Sequence, residues 1–347
     1  MDVDPGIDDA IAIVTALSSD EIEVVGIATV YGNVLPQVGM LNTLKVLELM
    51  DRMDIPVVIG AKRPLKKGLV SSRIRKRRET NHGKWGLGSL HVNPPIIDES
   101  FKKRIGNKMN YHDMLTTNVN NKNFVGFIDE IINYYRDHEI SIVATGPLTN
   151  IAQAIRYRPE FIRKIGQLSI MGGAYGLAGK NNGNTTRYAE FNFYCDPEAA
   201  RVVLSSPSLN SKIKVVGLDV TQHPTCRLDK EFINRVRIGI NEGKISPTSE
   251  FILSLLDFKL SHNTIFHLHD VLAVLLYERP SYFSFRKGNI DITLKGKLRG
   301  RSEFTDDKIS GNVQVAVVVN EYGFKNFLYS RLVTENKVLW KRRTESS

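Results

Sequence analysis

The chain has 347 residues, a net charge of +10 and 42% hydrophobic residues, an ordinary composition for a globular protein apart from the excess of basic groups. No apolar run reaches membrane-spanning length, and no basic segment followed by an apolar one marks a secretion signal. Cys195 and Cys226 are the only cysteines in the sequence, which excludes a disulfide framework and a zinc site of the usual spacing, so we expect a cytoplasmic protein with no membrane partner.

The chain opens on an acidic turn. Four carboxylates fall within eight residues around Pro5-Gly6, namely Asp2, Asp4, Asp8 and Asp9. The apolar run that follows predicts a buried helix beginning near Asp8, since acidic side chains suit a helix N-terminus. So many carboxylates at one turn repel each other unless a cation or hydrogen-bond donors neutralise them. Oxygen ligands favour a hard cation, calcium first and magnesium second; the alternative is a solvated acidic helix cap.

Strands and helices alternate along the rest of the chain. Runs typical of buried strands cover 22–30, 55–60, 140–145, 165–171, 213–220, 290–295 and 312–320. Helical spacing covers 36–50, 124–139, a segment ending near Tyr157, a segment opening at Asp196, most of 228–260, 271–277 and 324–335. This alternation predicts the α/β class, with an open, mostly parallel, doubly wound sheet flanked by helices in a single domain spanning 1–347.

One segment departs from this pattern. Residues 61–123 are rich in Lys, Arg, Asn, Gly and Pro, show little periodicity and include the basic run Arg73 to Arg78. We interpret them as a basic surface excursion, and a loop of this length inside a domain is often functional, for example as a lid. No aromatic residues are interleaved in the basic runs, which argues against a stacking platform for nucleic acid.

Polar side chains recur just after the predicted strands. Asp4 to Asp9, Asn33, Thr145 and Asp219 each follow a strand. In open α/β sheets ligands bind at the carboxyl ends of the strands, so these positions predict a binding site there. For Asp219, capping of the following turn is an equally good interpretation.

The ordered set of motifs resembles the nucleoside hydrolases, the inosine-uridine preferring nucleoside hydrolase family. The motifs that carry the resemblance are DVDPGIDDA at Asp2 to Ala10, Tyr31-Gly32-Asn33, His82-Gly83, ATGPLTN at Ala144 to Asn150, Met171-Gly172-Gly173, AEFN at Ala189 to Asn192, DPEAA at Asp196 to Ala200, Gly217-Leu218-Asp219 and His269-Asp270. The resemblance extends along nearly the whole chain and implies a glycosidase that hydrolyses ribonucleosides to free base and ribose.

The resemblance also implies a role for each matching residue. A calcium ion would be bound by the carboxylates of Asp4, Asp9 and Asp270 and the main-chain carbonyl of Thr145, and Asp4 would take a proton from the water that the ion holds and acidifies. The residues that match ribose contacts are Asp8, Asn33, Asn184, Glu190, Asn192 and Asp270. His82 and His269 match residues near the nucleobase, and histidine suits donation to the leaving base near neutral pH.

Several questions stay open at this level. The resemblance implies a small ribonucleoside as partner and a homodimer or homotetramer, but not a choice between purine and pyrimidine. The family usually carries apolar residues before the first aspartate, so we expect a truncated first strand or a native start upstream of Met1. One alternative is an N-glycosidase for nucleotides or other ribosyl substrates, in which the run from Arg73 holds phosphate. The others are a nucleic-acid-binding protein that uses the basic loop and a haloacid-dehalogenase-like phosphotransferase.

Overall fold

The computed structural model describes residues 1–66, 81–90, 122–177, 179, 183–243 and 245–345. The strands are β1 (Asp2–Val3), β2 (Ile27–Thr29), β3 (Val57–Ile59), β4 (Ile140–Ala144), β5 (Ile165–Met171), β6 (Ile213–Val216), β7 (Leu228–Asp229), β8 (Ile265–Phe266), β9 (Phe283–Ile292), β10 (Ser302–Asp306) and β11 (Val313–Val319). The predicted basic excursion at 61–123 lies largely outside the described residues.

The helices connect these strands. They are α1 (Ile7–Leu17), α2 (Pro36–Leu49), α3 (Lys122–Tyr134), α4 (Thr149–Tyr157), α5 (Phe161–Lys164), α6 (Phe191–Cys195), α7 (Pro197–Leu204), α8 (Leu218–Thr221), α9 (Lys230–Glu242), α10 (Pro247–His262), α11 (Val271–Glu278) and α12 (Glu321–Glu345). Among the described residues, no helix combines the length and apolar character needed to cross a membrane.

Within the described part of the chain, nine strands form one open sheet in the order β10-β9-β11-β6-β5-β4-β1-β2-β3. The seven strands from β11 to β3 pair in parallel, and β9 and β10 add an antiparallel edge. The predicted mostly parallel α/β sheet is therefore confirmed. Strands β7 and β8 form a separate antiparallel pair.

Alternation along the strands explains why helices cover both faces. On β3, Val57 and Ile59 belong to one buried apolar cluster, whereas Val58 between them belongs to another. Successive strand side chains point to opposite faces, so a strand that is apolar at every position needs a helical layer on each side. The first cluster includes residues of α1, α10 and α11, and the second includes residues of α3, α4 and α7.

The position of β1 determines where a ligand can bind. Asp2 pairs with Ala28 of β2 on one side and with Ala144 of β4 on the other. From β1 the chain builds β2 and β3 in one direction and β4, β5 and β6 in the opposite direction. This reversal is a topological switch point, which opens a crevice at the carboxyl ends of the strands. The acidic turn begins at this crevice, directly after Val3.

Several predicted element boundaries were wrong. The strand predicted over 22–30 is confined to Ile27–Thr29, and that predicted over 213–220 ends at Val216. After Gly217 the chain turns into α8, which contains Asp219. The predicted strand was too long because the same apolar run continues from the strand into this helix. The strand predicted over 290–295 lies at Phe283–Ile292, where exposed positions alternate with buried ones, and its partner β10 was not predicted.

Asp196 ties three segments together and yields a stability prediction. Its buried carboxylate accepts hydrogen bonds from the N–H of Ala199 at 3.0 Å, capping α7, from Oγ1 of Thr149 at 2.7 Å and from the N–H of Leu65 at 2.8 Å. Asp196→Ala should lower the free energy of unfolding by about 2 to 4 kcal/mol, because a cap is lost and two further donors, one buried and one half-buried, lose their acceptor. Urea denaturation would measure this loss.

The matched control is Asp229→Ala. Asp229 is exposed and caps α9 through a single bond to the N–H of Phe232 at 3.0 Å. Its loss should cost about 1 kcal/mol. Equal losses in the two variants would contradict the linking role of Asp196.

Candidate active site

A cleft of about 580 Å³, open to solvent, lies at the carboxyl ends of the central strands. The eight side chains predicted to contact ribose or base all line it, together with Thr145: they are Asp8, Asn33, His82, Asn184, Glu190, Asn192, His269 and Asp270. Asp4 and Asp9 are fully buried. The structure thus brings Asp8 and Asp270, which are 262 positions apart in sequence, into the lining of one cleft.

The carboxylate of Asp9 is oriented by donors from three parts of the chain. Oδ1 accepts from Oγ1 of Thr145 at 2.7 Å and from the N–H of Asp4 at 3.2 Å. Oδ2 accepts from the N–H of Gly6 at 3.0 Å and from Nδ2 of Asn33 at 3.3 Å. Asp9 therefore connects the acidic turn to the segments that follow β2 and β4.

Asp4 lies against the segment after β2. The N–H of Asn33 donates to Oδ2 of Asp4 at 2.6 Å. A Cβ atom added to Gly32 would lie 1.8 Å from the same oxygen, so only glycine allows the backbone to pass this closely. This contact gives a physical reason for the Tyr31-Gly32-Asn33 motif.

Asp270 joins this acidic group from the distant end of the chain. Burial raises its pKa well above the usual carboxyl range, and the negative charges of Asp9, Asp8 and Asp4 raise it further. Burial also raises the pKa of Asp9. Mutually repelling buried carboxyls are stabilised either by binding protons or by a positive neighbour, so this group could hold a cation.

The donor set fits a hard divalent cation better than a soft one. Each candidate ligand atom on Asp4, Asp9, Asp270 and Thr145 is an oxygen. The main-chain oxygen of Thr145 accepts from Nδ2 of Asn192 at 2.7 Å, and its second lone pair remains to face a ligand. Among the described residues, no three His, Cys, Asp or Glu side chains form a ready metal-binding group, so the fit rests on donor chemistry and buried charge.

Glu190 and Asn192 are positioned by the start of α6. Glu190 caps this helix: Oε1 accepts from the N–H of Asn192 at 2.7 Å, and Oε2 accepts from the N–H groups of Phe193 at 3.0 Å and Gly173 at 3.1 Å. Asn192 also donates from Nδ2 to the main-chain oxygen of Met171 at 3.2 Å. Both side chains are buried. Glu190 is therefore not a solvated surface charge, and Asn192 is not a simple turn residue.

The two predicted histidines are held by different contacts. The N–H of Ile7 donates to Nδ1 of His82 at 3.2 Å, and an accepting Nδ1 leaves the proton of a neutral ring on Nε2. His82 is buried although it belongs to the segment predicted as a surface excursion. Nδ1 of His269 lies 2.8 Å from Oγ1 of Thr221, a partner that sequence reasoning missed.

Lys259 is the main residue of the cleft that sequence reasoning missed. Its Nζ atom lies 2.6 Å from Oδ1 of Asp8, and both side chains are largely buried. Burial alone would raise the pKa of Asp8, but the positive charge of Lys259, helped by His82 and His269, outweighs it and lowers this pKa to about 2. A helical signal existed, because Lys259 continues the buried stripe of Ile252, Leu255 and Leu256 at helical spacing.

Asp219 orders the segment after β5. Its carboxylate accepts from the N–H of Tyr175 at 2.7 Å and from the N–H of Leu177 at 2.6 Å. This role differs from both sequence interpretations, because the segment that Asp219 orders lies 42 to 44 positions before it and not directly after it. His267, which was not assigned to the base site, stacks on His269 with ring centroids 5.8 Å apart.

Comparison with known proteins identifies the family of the chain. The sequence profile described as "Inosine-uridine preferring nucleoside hydrolase" matches residues 1–326. The chain is 33% identical over 305 residues to uridine nucleosidase 1 of Arabidopsis thaliana, covering 87% of this chain and 80% of that protein. It is 32% identical over 342 residues to the pyrimidine-specific ribonucleoside hydrolase RihA of Citrobacter koseri, covering 95% and 96% respectively.

A solved structure shows the same likeness. The purine-preferring ribonucleoside hydrolase from Gardnerella vaginalis superposes with a TM-score of 0.79 at 26% identity, covering 97% of this chain and 98% of that one. Matches of this extent leave no large part of the fold unaccounted for. The chain therefore belongs to the inosine-uridine preferring nucleoside hydrolases, enzymes that hydrolyse ribonucleosides.

Proposed function

We propose that the chain hydrolyses the N-glycosidic bond of ribonucleosides with bound Ca²⁺ and with Asp4 as the general base. One observation carries the proposal: Asp270 from the distant end of the chain lines the same cleft as Asn33, which donates to both Asp4 and Asp9 of the first turn. Amides, carboxylates and two histidines make up most of that lining. This combination suits a reaction that needs an activated water, a stabilised cationic sugar and a protonated leaving group.

Ca²⁺ is the cation that we propose for the acidic group. Asp4, Asp9, Asp270 and the carbonyl of Thr145 would hold it, since calcium accepts several oxygen ligands in a flexible arrangement. When bound, the cation would orient and acidify the attacking water. The same charge would neutralise the buried carboxyls that raise one another's pKa.

Asp4 is the base that we propose for the water. Its carboxylate is fully buried, and the N–H of Asn33 holds Oδ2 at 2.6 Å, so its orientation is set before substrate arrives. Proton removal makes the water a better nucleophile as it approaches the anomeric carbon. Asp8 is a poorer candidate, because its ion pair with Lys259 holds its pKa at about 2.

The remaining cleft residues would act on the sugar and the base. Positive charge develops on the sugar ring as the glycosidic bond breaks. The carboxylate of Glu190 and the side-chain oxygens of Asn184 and Asn192 can stabilise that charge or hold the ribose hydroxyls. His82 and His269 can donate to the leaving base, and the contact from Ile7 favours a donor Nε2 on His82.

We further propose a preference for pyrimidine ribonucleosides, with uridine first. Support comes from the names of two sequence relatives, a uridine nucleosidase and a pyrimidine-specific hydrolase, each above 30% identity. The structural neighbour named as purine-preferring is more distant, at 26% identity.

A reducing-sugar assay tests the proposal. Uridine, cytidine, inosine, adenosine and guanosine would be supplied separately, and free ribose and free base measured together. We expect equal amounts of both products, with uridine and cytidine turned over fastest. Inosine hydrolysed faster than uridine would contradict the pyrimidine preference, and no ribose from any nucleoside would contradict the function itself.

A further inference from the structure

Lys259 is buried in a place where a lysine needs a specific reason. Among the described residues that line the cleft it is the only Lys or Arg. It is 8% exposed and lies in the last two turns of α10. Burying an ammonium group is costly unless it is paired, and its pairing with Asp8 at 2.6 Å satisfies that requirement.

Both oxygens of Asp8 are engaged by the protein. Oδ1 faces Nζ of Lys259, and Oδ2 accepts from the N–H of His269 at 3.3 Å. A hydrogen bond on one oxygen and a close ammonium charge at the other restrict the plane of the carboxylate, while Oδ1 is buried and accepts no aligned hydrogen bond from the described residues, so it is left to receive a donor. A hydroxyl group entering the cleft would therefore meet a carboxylate whose direction is already set.

The support for Lys259 is rigid as well. α10 is anchored to α2 through Oγ1 of Thr248, which donates to the main-chain oxygen of Leu49 at 2.7 Å. Next to Lys259, the ring of Phe258 packs so closely on Gly88 that a Cβ there would lie 2.8 Å from Cγ. α10 thus presents its lysine to Asp8 from a position held on two sides.

We propose that Lys259 is a positioning residue that orients Asp8 toward a ribose hydroxyl and thereby selects ribose over deoxyribose. The inference rests on the proposed function in that it takes Asp8 as a ribose contact. Lys259 does not touch the reacting atoms in this proposal. A charge-assisted hydrogen bond is strong only when its acceptor is well directed, so the ammonium acts on sugar selection through the carboxylate.

The pairing also argues against a direct role for Lys259 in holding an anionic substrate group. A lysine that receives a phosphate should point its charge into open space, whereas Nζ here faces the carboxylate of Asp8. Breaking a buried ion pair to capture a phosphate would leave Asp8 buried without its counterion, which is strongly unfavourable.

The test measures kcat/KM for uridine, 2′-deoxyuridine, 3′-deoxyuridine and uridine 5′-monophosphate in the wild type, Lys259→Met and Lys259→Arg. Lys230→Met, which removes an exposed lysine at the start of α9, is the matched control. We expect Lys259→Met to lower kcat/KM for uridine by about 10- to 100-fold, mainly through KM. The deoxyuridine that lacks the hydroxyl bound by Asp8 should lose far less kcat/KM. The ratio of kcat/KM for uridine to kcat/KM for that deoxyuridine should therefore fall.

Rescue and coupling add two further readouts. Lys259→Arg should restore most of the discrimination, because guanidinium can pair with the same carboxylate. Added to Asp8→Asn, Lys259→Met should have little further effect, since both act on one contact. Thermal melting of each variant identifies those that fail to fold. If Lys259→Met does not fold, the proposal is tested with Lys259→Arg and with the double variant.

The outcomes separate the inference from the function on which it rests. The positioning role would be overturned if Lys259→Met lowered kcat/KM equally for all three nucleosides and so left the ratio of uridine to deoxyuridine unchanged. It would also be overturned if the variant lost kcat/KM only for the 5′-monophosphate. Either result would leave nucleoside hydrolysis intact. A wild type that releases no ribose from uridine would overturn both.

Discussion

Asp4→Asn is expected to lower kcat for ribonucleoside hydrolysis by about 10²- to 10⁴-fold, the usual contribution of a positioned general base. The amide keeps the shape of the carboxylate and can still accept the hydrogen bond from the N–H of Asn33. It cannot take a proton from water at neutral pH. The fold should remain, because the substitution removes a buried negative charge rather than a packing group. Steady-state release of ribose would measure the loss.

Asp257→Asn is the control for this variant. Asp257 is an exposed carboxylate on α10 that pairs with Arg237, and such surface pairs contribute little to stability. Its rate should equal that of the wild type. If Asp4→Asn retained more than a tenth of the wild-type kcat, Asp4 could not be the base, and one of the other carboxyls of the acidic group would have to take the proton.

Removing divalent cations should abolish activity and also destabilise the protein. A chelator would leave the carboxyls of Asp4, Asp9 and Asp270 facing one another in a buried site, where their charges repel. Adding Ca²⁺ should restore the rate and raise the melting temperature, with about 2.7 kcal/mol of stabilisation at a hundredfold excess over Kd. Melting curves and ribose release, each recorded with chelator, with Ca²⁺ and with Mg²⁺, would measure both effects.

Asp270→Asn supplies the comparison for the cation experiment. Because it removes one proposed ligand, it should weaken the response of the melting temperature to Ca²⁺. Because it also removes one of the repelling charges, the chelated variant should be more stable than the chelated wild type. Activity that survives exhaustive chelation would rule out the cation. Recovery with Mg²⁺ alone would keep a hard divalent ion and exclude calcium as the specific one.

Local patterns in the sequence were enough for the architecture. Alternating strand and helix signals predicted the parallel sheet, because strands buried on both faces must be apolar throughout and must be joined by crossover helices. Helix starts were also predictable where a cap is encoded locally, as at Asp196 before Pro197. Boundaries failed where an apolar run passes from strand into helix, as between Val216 and Asp219, since hydrophobicity alone does not distinguish the two.

The positions of the site residues follow partly from the same rules. The carboxyl ends of neighbouring parallel strands share one edge, so Asp4, Asn33 and Thr145 could be expected to meet. Asp270 and His269 precede a helix rather than following a strand of the main sheet, and only the family resemblance associated them with the others.

The amino-acid sequence by itself determined the α/β class, the acidic turn and the set of polar residues from which the site is built, because periodicity, turn chemistry and motifs are all encoded over short distances. Only the tertiary structure decided that Lys259 faces Asp8 and that Thr221 faces His269. These pairs join residues 251 and 48 positions apart. Which side chain neutralises a buried carboxylate depends on how distant helices are oriented over the sheet, and that orientation results from packing of the whole core.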